Sequence, residues 1–242
     1  PFYSFFKNDL AAAYTKKISR YVRSFLFLHT GRRGQPASLV VFDRVKTSGR
    51  GIRTFFVLNT LARPEKRGNT LVSRYGNGKL TTRILLPEGA LRVESYSDAE
   101  SRRVFGKQFD IPLTCLPEEN GTRTMISPTE QQEETEFLTV LQPGDPEVKP
   151  APIKFVKGRT HLELFLEDTL VLLGRNFEPV SESVTFSVPT SGGRVVFADF
   201  AAGQWTVLPL SGSGREYRFI TAAGKLTGML RLPPGSYRLI RR

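Results

Sequence analysis

Residues 39–45 decide the fold prediction, and they read Leu39-Val40-Val41-Phe42-Asp43-Arg44-Val45. β-Branched and aromatic residues in such a run are typical of a β-strand, in which successive side chains point to opposite faces. Asp43 therefore shares a face with Leu39, Val41 and Val45. A carboxylate on an apolar face needs a cation, a metal ion or several hydrogen-bond donors to offset its desolvation. Two interpretations are open: an ion pair with Arg23 or Arg53, or a metal ligand or orienting residue of a catalytic site.

Similar apolar runs recur roughly every ten residues and are separated by clusters of Gly, Pro, Asn and Ser. This pattern predicts an all-β protein, with a large antiparallel β-sandwich followed by a smaller antiparallel β-sheet domain. Gly76-Asn77-Gly78 predicts a hairpin turn, because both residue types tolerate positive φ. Residues 8–20 predict one short N-terminal helix, capped by Asn8 or Asp9. The clearest predicted strands are residues 21–28, 38–45, 53–61, 79–86, 136–141, 161–167, 183–188, 194–200, 204–210, 215–220, 225–232 and 236–240.

The charge and proline distributions predict two domains. Residues 1–60 carry 11 basic and 2 acidic side chains, whereas residues 111–150 carry 2 basic and 8 acidic ones. The acidic stretch ends in residues 142–146 (QPGDP), which are followed by residues 149–152 (KPAP). A proline-dense segment after a strand is typical of a domain boundary. We therefore expect domains at residues 1–148 and 149–242.

The overall composition excludes several classes of protein. Apolar residues make up 39% and charged residues 24%, as in an ordinary folded chain, and no apolar run reaches the roughly 18 residues of a membrane helix. The single cysteine, Cys115, excludes a disulfide framework and a Cys-based zinc site. The sequence holds no Walker loop, dinucleotide fingerprint, HExxH motif or nucleophile elbow. Because Pro1 is preceded by neither an initiator Met nor a leader, we expect a mature or truncated part of a longer protein.

The two histidines are weak candidates for chemistry. His29 follows an apolar run and precedes Thr30-Gly31, so it is predicted at a strand end, either as a general base or as a residue of the rim. His161 alternates with Glu163 on the polar face of a predicted half-buried strand, which favours a surface role over a ligand role. A zinc site of three ligands would need both histidines and Asp43 in one place, and we do not expect it.

The formal charge of +12 suggests an anionic partner. Nucleic acid is disfavoured, because the sequence shows no known reading module and its arginines are scattered over strands. An acidic polysaccharide suits a broad sheet better, since guanidinium groups bind carboxylates and sulfates in pairs. The alternative is a basic surface without a specific ligand. The arginines of the most basic part are Arg20, Arg23, Arg32, Arg33, Arg44, Arg50 and Arg53.

The order of several short motifs resembles the β-sheet half of heparinase II/III-like polysaccharide lyases. A DLxxAY-like stretch is followed in that family by an Arg-led strand, a VVxDRV-like strand and a further strand that ends in a motif like LLHT. The resemblance covers residues 8–145 well and residues 150–242 more loosely. The matching segments are residues 9–14 (DLAAAY), 20–28 (RYVRSFLFL), 39–45 (LVVFDRV), 54–60 (TFFVLNT), 78–80 (GKL), 85–87 (LLP) and 137–142 (FLTVLQ).

The resemblance implies an enzyme of two parts, located in the periplasm or secreted. In the family, an N-terminal α/α toroid carries most catalytic groups, and a β-sandwich closes the cleft in which uronic-acid polysaccharides such as glycosaminoglycan or alginate are cleaved by β-elimination. A Tyr or His removes the proton beside the uronate carboxylate, while another side chain neutralises that carboxylate. Several members also hold a metal ion in the sheet through an Asp and two His.

This chain departs from the family pattern in ways that shape our expectations. The toroid is absent from the chain, and with it the principal catalysts. Asp43 matches the metal-binding Asp, but Asn59 and Tyr21 stand where the His partners would be, so we expect no metal and no cofactor. We expect Arg23, Arg44 and Arg53, with His29, to bind acidic polysaccharide beside a toroid of the same protein.

In this interpretation we expect the chain to be inactive without its toroid, which would carry the main catalytic residues. The alternative is a non-catalytic β-sandwich that binds anionic glycans. A purely structural role, in which the sheets only hold a toroid in shape, is a third hypothesis.

Overall fold

The computed structural model describes residues 2–109, 121–130, 132–189, 192–211 and 214–242, so Cys115 lies outside the described residues. The chain divides into two compact units, Pro1–Pro150 and Ala151–Arg242. The sequence predicts a domain boundary two residues before this division. Both units are built of β-strands, which confirms the all-β fold class. In the described ranges, no helix is long and apolar enough to cross a membrane.

The first unit contains two main sheets. In its described part, a seven-stranded sheet has the order β1-β2-β3-β12-β7-β6-β5, and a three-stranded sheet has the order β4-β11-β8. The neighbouring strands of both sheets are antiparallel, and β9 and β10 form a separate hairpin. The strands are β1 (Tyr3–Asp9), β2 (Ile18–Arg32), β3 (Gln35–Thr47), β4 (Phe56–Thr60), β5 (Glu65–Arg67), β6 (Thr70–Tyr75), β7 (Gly78–Leu86), β8 (Leu91–Tyr96), β9 (Arg103–Val104), β10 (Lys107–Gln108), β11 (Thr122–Pro128) and β12 (Glu134–Gly144).

The apolar core of the first unit joins its two sheets. Val41 of β3 and Phe137 of β12 belong to the large sheet, and they cluster with Phe56 of β4 and Ile126 of β11 from the small sheet. The rings of Phe56 and Phe137 lie 6.5 Å apart. Burial of apolar side chains between two sheets is what holds a sandwich together. One face of the large sheet is thus covered by the small sheet.

The predicted N-terminal helix shrinks to a single turn. The 3₁₀ turn Ala11–Ala13 is the only part of residues 8–20 that is helical, while Asn8 and Asp9 end β1. The Asp9 carboxylate accepts a hydrogen bond of 2.9 Å from the backbone N–H of Ala11. Pairing of β1 with β2 provides hydrogen-bond partners along the backbone, whereas an isolated helix of this length is marginal in water. The Ala-rich composition was therefore misleading here.

The second unit is also a sandwich. In its described part, a five-stranded sheet has the order β13-β14-β15-β17-β20 and a four-stranded sheet has the order β16-β21-β18-β19. All its strand pairs are antiparallel except β15 with β17, which is parallel and departs from the predicted antiparallel sheet. The strands are β13 (Ile153–Lys157), β14 (His161–Leu166), β15 (Thr169–Gly174), β16 (Val184–Val188), β17 (Gly193–Ala198), β18 (Gly203–Pro209), β19 (Tyr217–Thr221), β20 (Thr227–Leu232) and β21 (Gly235–Arg241).

An aromatic cluster fills the core of the second unit. Phe197 stacks on Phe219 with ring centres 4.5 Å apart, and Phe200 meets Trp205 edge to face at 5.3 Å. Trp205 is fully buried, and its indole N–H donates to the carbonyl oxygen of Ala201 at 2.9 Å. The one polar atom of this ring thus has a partner, as a buried indole requires.

The surface role that the sequence predicts for His161 is wrong. Its strand, β14, pairs with β13 on one side and β15 on the other, so it is not an edge strand. His161 is buried, and its Nε2 atom lies 3.5 Å from the Glu163 carboxylate. Alternation with Glu163 correctly placed the two side chains together, but it could not show that this face of the sheet is covered.

We expect Gly228→Ala to destabilise the second unit. A Cβ atom at Gly228 would lie 2.1 Å from Cδ2 of Phe219, whose ring is held by its stack on Phe197. Such overpacking costs about 1–3 kcal/mol of the free energy of unfolding. The measurement is urea unfolding followed by the fluorescence of Trp205, the only tryptophan. The control is Met229→Ala at the next, exposed position, which should change stability little; equal midpoints for the two variants would contradict the packing argument.

Candidate functional site

An open cleft of about 640 Å³ lies in the first unit, beside the core that joins its sheets. The strands β2 and β3 supply one part of its lining, the segment 51–55 and β4 a second, and the β9–β10 hairpin with β11 a third. Most of the lining side chains are apolar or aromatic, with a few charged groups among them. The lining residues are Tyr14, Lys17, Ile18, Tyr21, Asp43, Val45, Gly51, Ile52, Arg53, Thr54, Phe55, Val57, Val104, Phe105, Arg123, Met125 and Phe137.

A buried ion pair lies at the β2–β3 side of this cleft. Arg23 and Asp43 are directly opposed in the register of β2 and β3. The Nε and Nη2 atoms of Arg23 each donate to one carboxylate oxygen of Asp43, both at 2.6 Å. The Asp43 side chain is 3% exposed and that of Arg23 28%. A bidentate pair of this geometry satisfies the buried carboxylate, so Asp43 needs no metal ion to be stable on its apolar face.

Tyr21 completes this cluster. Its hydroxyl donates to Asp43 at 3.4 Å, and the Arg23 guanidinium lies 5.7 Å from the Tyr21 ring centre. Burial, followed by the nearby negative charge of Asp43, raises the pKa of the Tyr21 phenol well above its usual range. The hydrogen bond to Asp43 raises the pKa of Arg23. At neutral pH Tyr21 is therefore a neutral hydrogen-bond donor, and Arg23 is a cation that is already engaged.

A second, smaller cleft of about 330 Å³ shares a wall with the first, formed by Arg53, Phe55, Phe105, Arg123 and Met125. We call the whole lining of this smaller cleft the arginine wall. Besides the five shared residues, it comprises Arg92, Glu94 and Tyr96 of β8, together with Glu100, Arg103 and Gly106. Cations outnumber anions on this wall, so it presents a positive surface to the cleft.

Local pairs hold the arginine wall in shape. Nη2 of Arg92 lies 2.6 Å from the Glu94 carboxylate, to which the Tyr96 hydroxyl donates at 3.1 Å. Arg123 stacks over the Tyr96 ring at 5.4 Å and donates to the carbonyl oxygen of Arg103 at 2.6 Å. The hydrogen bond from Arg92 lowers the pKa of Glu94, and burial followed by Glu94 raises the pKa of Tyr96. Neither group is thereby placed near neutral pH as an acid or a base.

The residues that the sequence predicts to bind substrate lie in different environments and do not form one site. Arg53 lines both clefts, and its guanidinium lies 5.5 Å from the ring of Phe55. Arg23 is held by Asp43, as described above. His29 is exposed and packs edge to face on Phe27 at 4.9 Å, and it belongs to neither cleft lining.

Arg44 does not lie on a wall with Arg23. Because neighbouring residues of a strand point to opposite faces, Asp43 and Arg44 cannot share one. Arg44 is 2% exposed; its Nη2 donates to the Ser24 hydroxyl at 2.6 Å, and its guanidinium lies 4.8 Å from the Phe42 ring centre. The expectation that Arg44 clamps substrate is therefore abandoned.

The metal site of the resembling family does not fit these residues. Both Asp43 oxygens accept from Arg23, and Tyr21 stands beside them in place of an imidazole. Among the residues that the structure describes, no group of three or more His, Cys, Asp or Glu side chains could hold a metal ion. We therefore derive no chemistry from a metal at this position.

Sequence reasoning missed Arg92, Arg103, Arg123 and Phe105. The charge is most positive in residues 1–60, and these four residues lie outside that range. A usable signal lay in β8, where Arg92, Glu94 and Tyr96 alternate with other residues and so share one face. The partner strand β11 brings Arg123 opposite Tyr96, but this register could not be read from the sequence.

The fold and the cleft define a double β-sandwich protein with a cationic groove in its first unit. Residues 155–241, which lie in the second unit, match the family model of the heparinase II C-terminal domain. This part of the chain is therefore similar to a heparinase II C-terminal domain, and the predicted resemblance to the β-sheet region of heparinase II/III-like lyases is confirmed. The match lies in the part of the chain where the predicted resemblance is looser, since all the quoted motifs fall within residues 8–145.

Similar solved structures include a heparinase III with methylated lysines, which is 12% identical to this chain with a TM-score of 0.46. The match covers 69% of this chain and 24% of that protein. A mutant heparan sulfate lyase from Pedobacter heparinus is 15% identical with a TM-score of 0.43, with 72% and 26% covered. A further heparinase III is 12% identical with a TM-score of 0.44, with 69% and 24% covered. The matched part of the chain spans about a quarter of each of these proteins. No curated protein sequence matches the chain.

We expect Asp43→Asn to destabilise the first unit by about 1–3 kcal/mol, because Arg23 would lose its counter-charge beside the rings of Tyr21 and Phe25. The effect should be smaller than for a fully buried pair, since Arg23 is partly exposed. Urea unfolding followed by circular dichroism measures it.

The control for this prediction is Glu65→Gln. Glu65 forms ion pairs with Arg67 and Arg74 at the surface, where such pairs contribute little to stability. An Asp43→Asn variant as stable as this control would mean that the buried pair does not hold β2 and β3 together.

Proposed function

We propose that this chain is the β-sheet part of a polysaccharide lyase and that it binds uronic-acid polysaccharide along the arginine wall. The observation that carries the proposal is the grouping of Arg53, Arg92, Arg103 and Arg123 around one open groove in the first unit. The heparinase II-type domain at residues 155–241 supports the assignment to a lyase. A periplasmic or secreted location follows from a polysaccharide substrate.

Electrostatics favours a ligand with anionic groups repeated along its length. The arginine wall places like charges close together, which costs free energy in the empty protein and is relieved when carboxylates or sulfates bind between them. Guanidinium groups also match the planar oxygens of a carboxylate in bidentate geometry. Arg53 is the best candidate for a direct contact, because it is exposed and lines both clefts.

The proposed contribution of this chain is binding, and the proposed catalyst lies elsewhere. β-Elimination requires a base that removes the proton beside the uronate carboxylate, together with a group that neutralises the carboxylate. The phenols of Tyr21 and Tyr96 have raised pKa values, so neither is prepared as a base. The arginines could neutralise a carboxylate, and a companion N-terminal α/α toroid of the same protein would supply the base.

A non-catalytic glycan-binding module is the second candidate function. The observation that favours it is the composition of the two cleft linings, which contain tyrosines and carboxylates but neither His29 nor His161. Binding without cleavage would need only the arginine wall. The two candidates agree on the ligand and differ in whether a catalytic domain accompanies the chain.

We expect Arg53→Ala to weaken binding of heparin by about fivefold, which is the contribution of one charge-assisted contact. Loss of one cation should also reduce the slope of log Kd against log salt concentration by about one, as for other polyanions. Titration calorimetry at several salt concentrations measures both quantities.

The matched control for this binding prediction is Arg33→Ala. It removes the same charge at an exposed position that lies in neither cleft lining. Equal losses of affinity in the two variants would indicate that heparin senses only the net charge of the protein, and the groove would not be the binding site.

Cleavage is expected to require the companion domain. The chain alone should bind heparan sulfate without producing the ultraviolet absorbance of unsaturated uronate. The protein encoded by the full reading frame should produce that absorbance. Turnover by the chain alone would contradict the proposed division of roles. A full reading frame that encodes no helical domain would favour the non-catalytic module.

A further inference from the structure

An exposed aromatic ring stands at the mouth of the groove, on the hairpin formed by β9 and β10. The register pairs Val104 with Lys107, which leaves Phe105 and Gly106 as a two-residue turn. Their φ angles are 47° and 84°, so both residues adopt the left-handed region typical of a type I′ turn. Asn-Gly is the usual pair at such positions, and a bulky residue with positive φ is rare.

Folding alone gives no reason for phenylalanine at this position. Phe105 is 77% exposed, the highest value among the large hydrophobic residues of the described chain. Its nearest aromatic partner, Phe55, lies 6.1 Å away in a tilted arrangement. The residue therefore combines an unfavourable backbone conformation with little burial. Residues held in sparsely populated backbone conformations cluster at functional sites.

Two hydrogen bonds anchor the hairpin that carries Phe105. Arg123 of β11 donates to the carbonyl oxygen of Arg103 at the start of the hairpin. The backbone N–H of Phe109 donates to the carbonyl oxygen of Arg102 at 3.2 Å and closes the base. Phe105 belongs to the linings of both clefts, as do Arg53 and Arg123.

We propose that Phe105 is a stacking platform for the apolar face of a sugar ring, and that it sets the position of an anionic hexopyranose unit against the arginine wall. This inference rests on the proposed function and adds a specificity-determining residue to it. One face of a pyranose ring carries C–H groups, which pack on an aromatic face, while carboxylate or sulfate substituents extend from the edge of the ring. A ligand with both features engages Phe105 and the neighbouring guanidinium groups together.

Single-stranded nucleic acid has the same two features, because its bases stack on aromatic rings and its phosphates bind arginines. The glycan is favoured by the heparinase II-type domain in the same chain.

The test is Phe105→Asn in the 242-residue chain. Asn-Gly suits the type I′ turn, so this variant removes the ring while the urea midpoint of unfolding stays equal or rises. With a size-defined heparin hexasaccharide, affinity should fall about threefold to tenfold, and the slope of log Kd against log salt concentration should not change, because no charge is lost. The control is Tyr75→Asn, which removes an exposed ring beside the Gly76-Asn77 turn outside both clefts and should leave affinity unchanged.

Each of the other outcomes refutes the stacking platform, the proposed function or the choice of a glycan as ligand. If the wild-type chain binds the hexasaccharide and Phe105→Asn binds it equally well, the platform is refuted while the proposed function stands. If the wild-type chain does not bind it, the proposed function and the platform both fail. If a thymidine oligonucleotide of equal charge binds more tightly than the hexasaccharide and its affinity depends on Phe105, the ligand is nucleic acid and the glycan assignment is wrong.

Discussion

The alternation of side chains along β3 is the constraint on which the first unit depends. Because a strand directs successive residues to opposite faces, Val41 and Asp43 face the small sheet while Arg44 faces away from it. A shift of one residue in register would exchange these faces and place the arginine in the core beside Phe137. The Arg23–Asp43 pair adds to this preference for the observed register of β2 against β3, in which the two residues are directly opposed and form two short hydrogen bonds.

Local pattern predicted the strands well and predicted the site poorly, for a physical reason. Alternation and turn residues are properties of neighbouring positions, so they identified the course of β3, the Gly76-Asn77 turn and the need of Asp43 for a partner. The arginine wall depends on which strands pair across long separations, and nothing in residues 91–96 or 122–128 specifies that Arg123 lies opposite Tyr96. Burial of His161 and Arg44 was hidden for a related reason, since a strand does not reveal whether its polar face is covered.

The two ends of the groove differ in how completely their charged side chains are paired. At the β2–β3 side, Arg23 and Asp43 are paired with each other inside the protein, so Asp43 is neutralised before any ligand arrives. At the arginine wall, Glu94 and Glu100 offset only part of the positive charge of four arginines, and the remaining field extends into the solvent. Internal pairing stabilises the sheet, whereas incomplete pairing leaves free energy available for binding. The same residue type thus stabilises the sheet at Arg23 and, in the proposed function, recognises the ligand at Arg53.

The closure of the large sheet by β12 has a consequence for synthesis on the ribosome. Lys46 at the end of β3 bonds to Glu134 at the start of β12, a separation of 88 positions. Hairpins such as β2–β3 and β6–β7 can form as soon as they emerge, because their strands are adjacent in the chain. The core beside the groove must wait until residues 134–144 have left the exit tunnel. Nascent chains that stall before that point would expose the apolar face of β3 to chaperones.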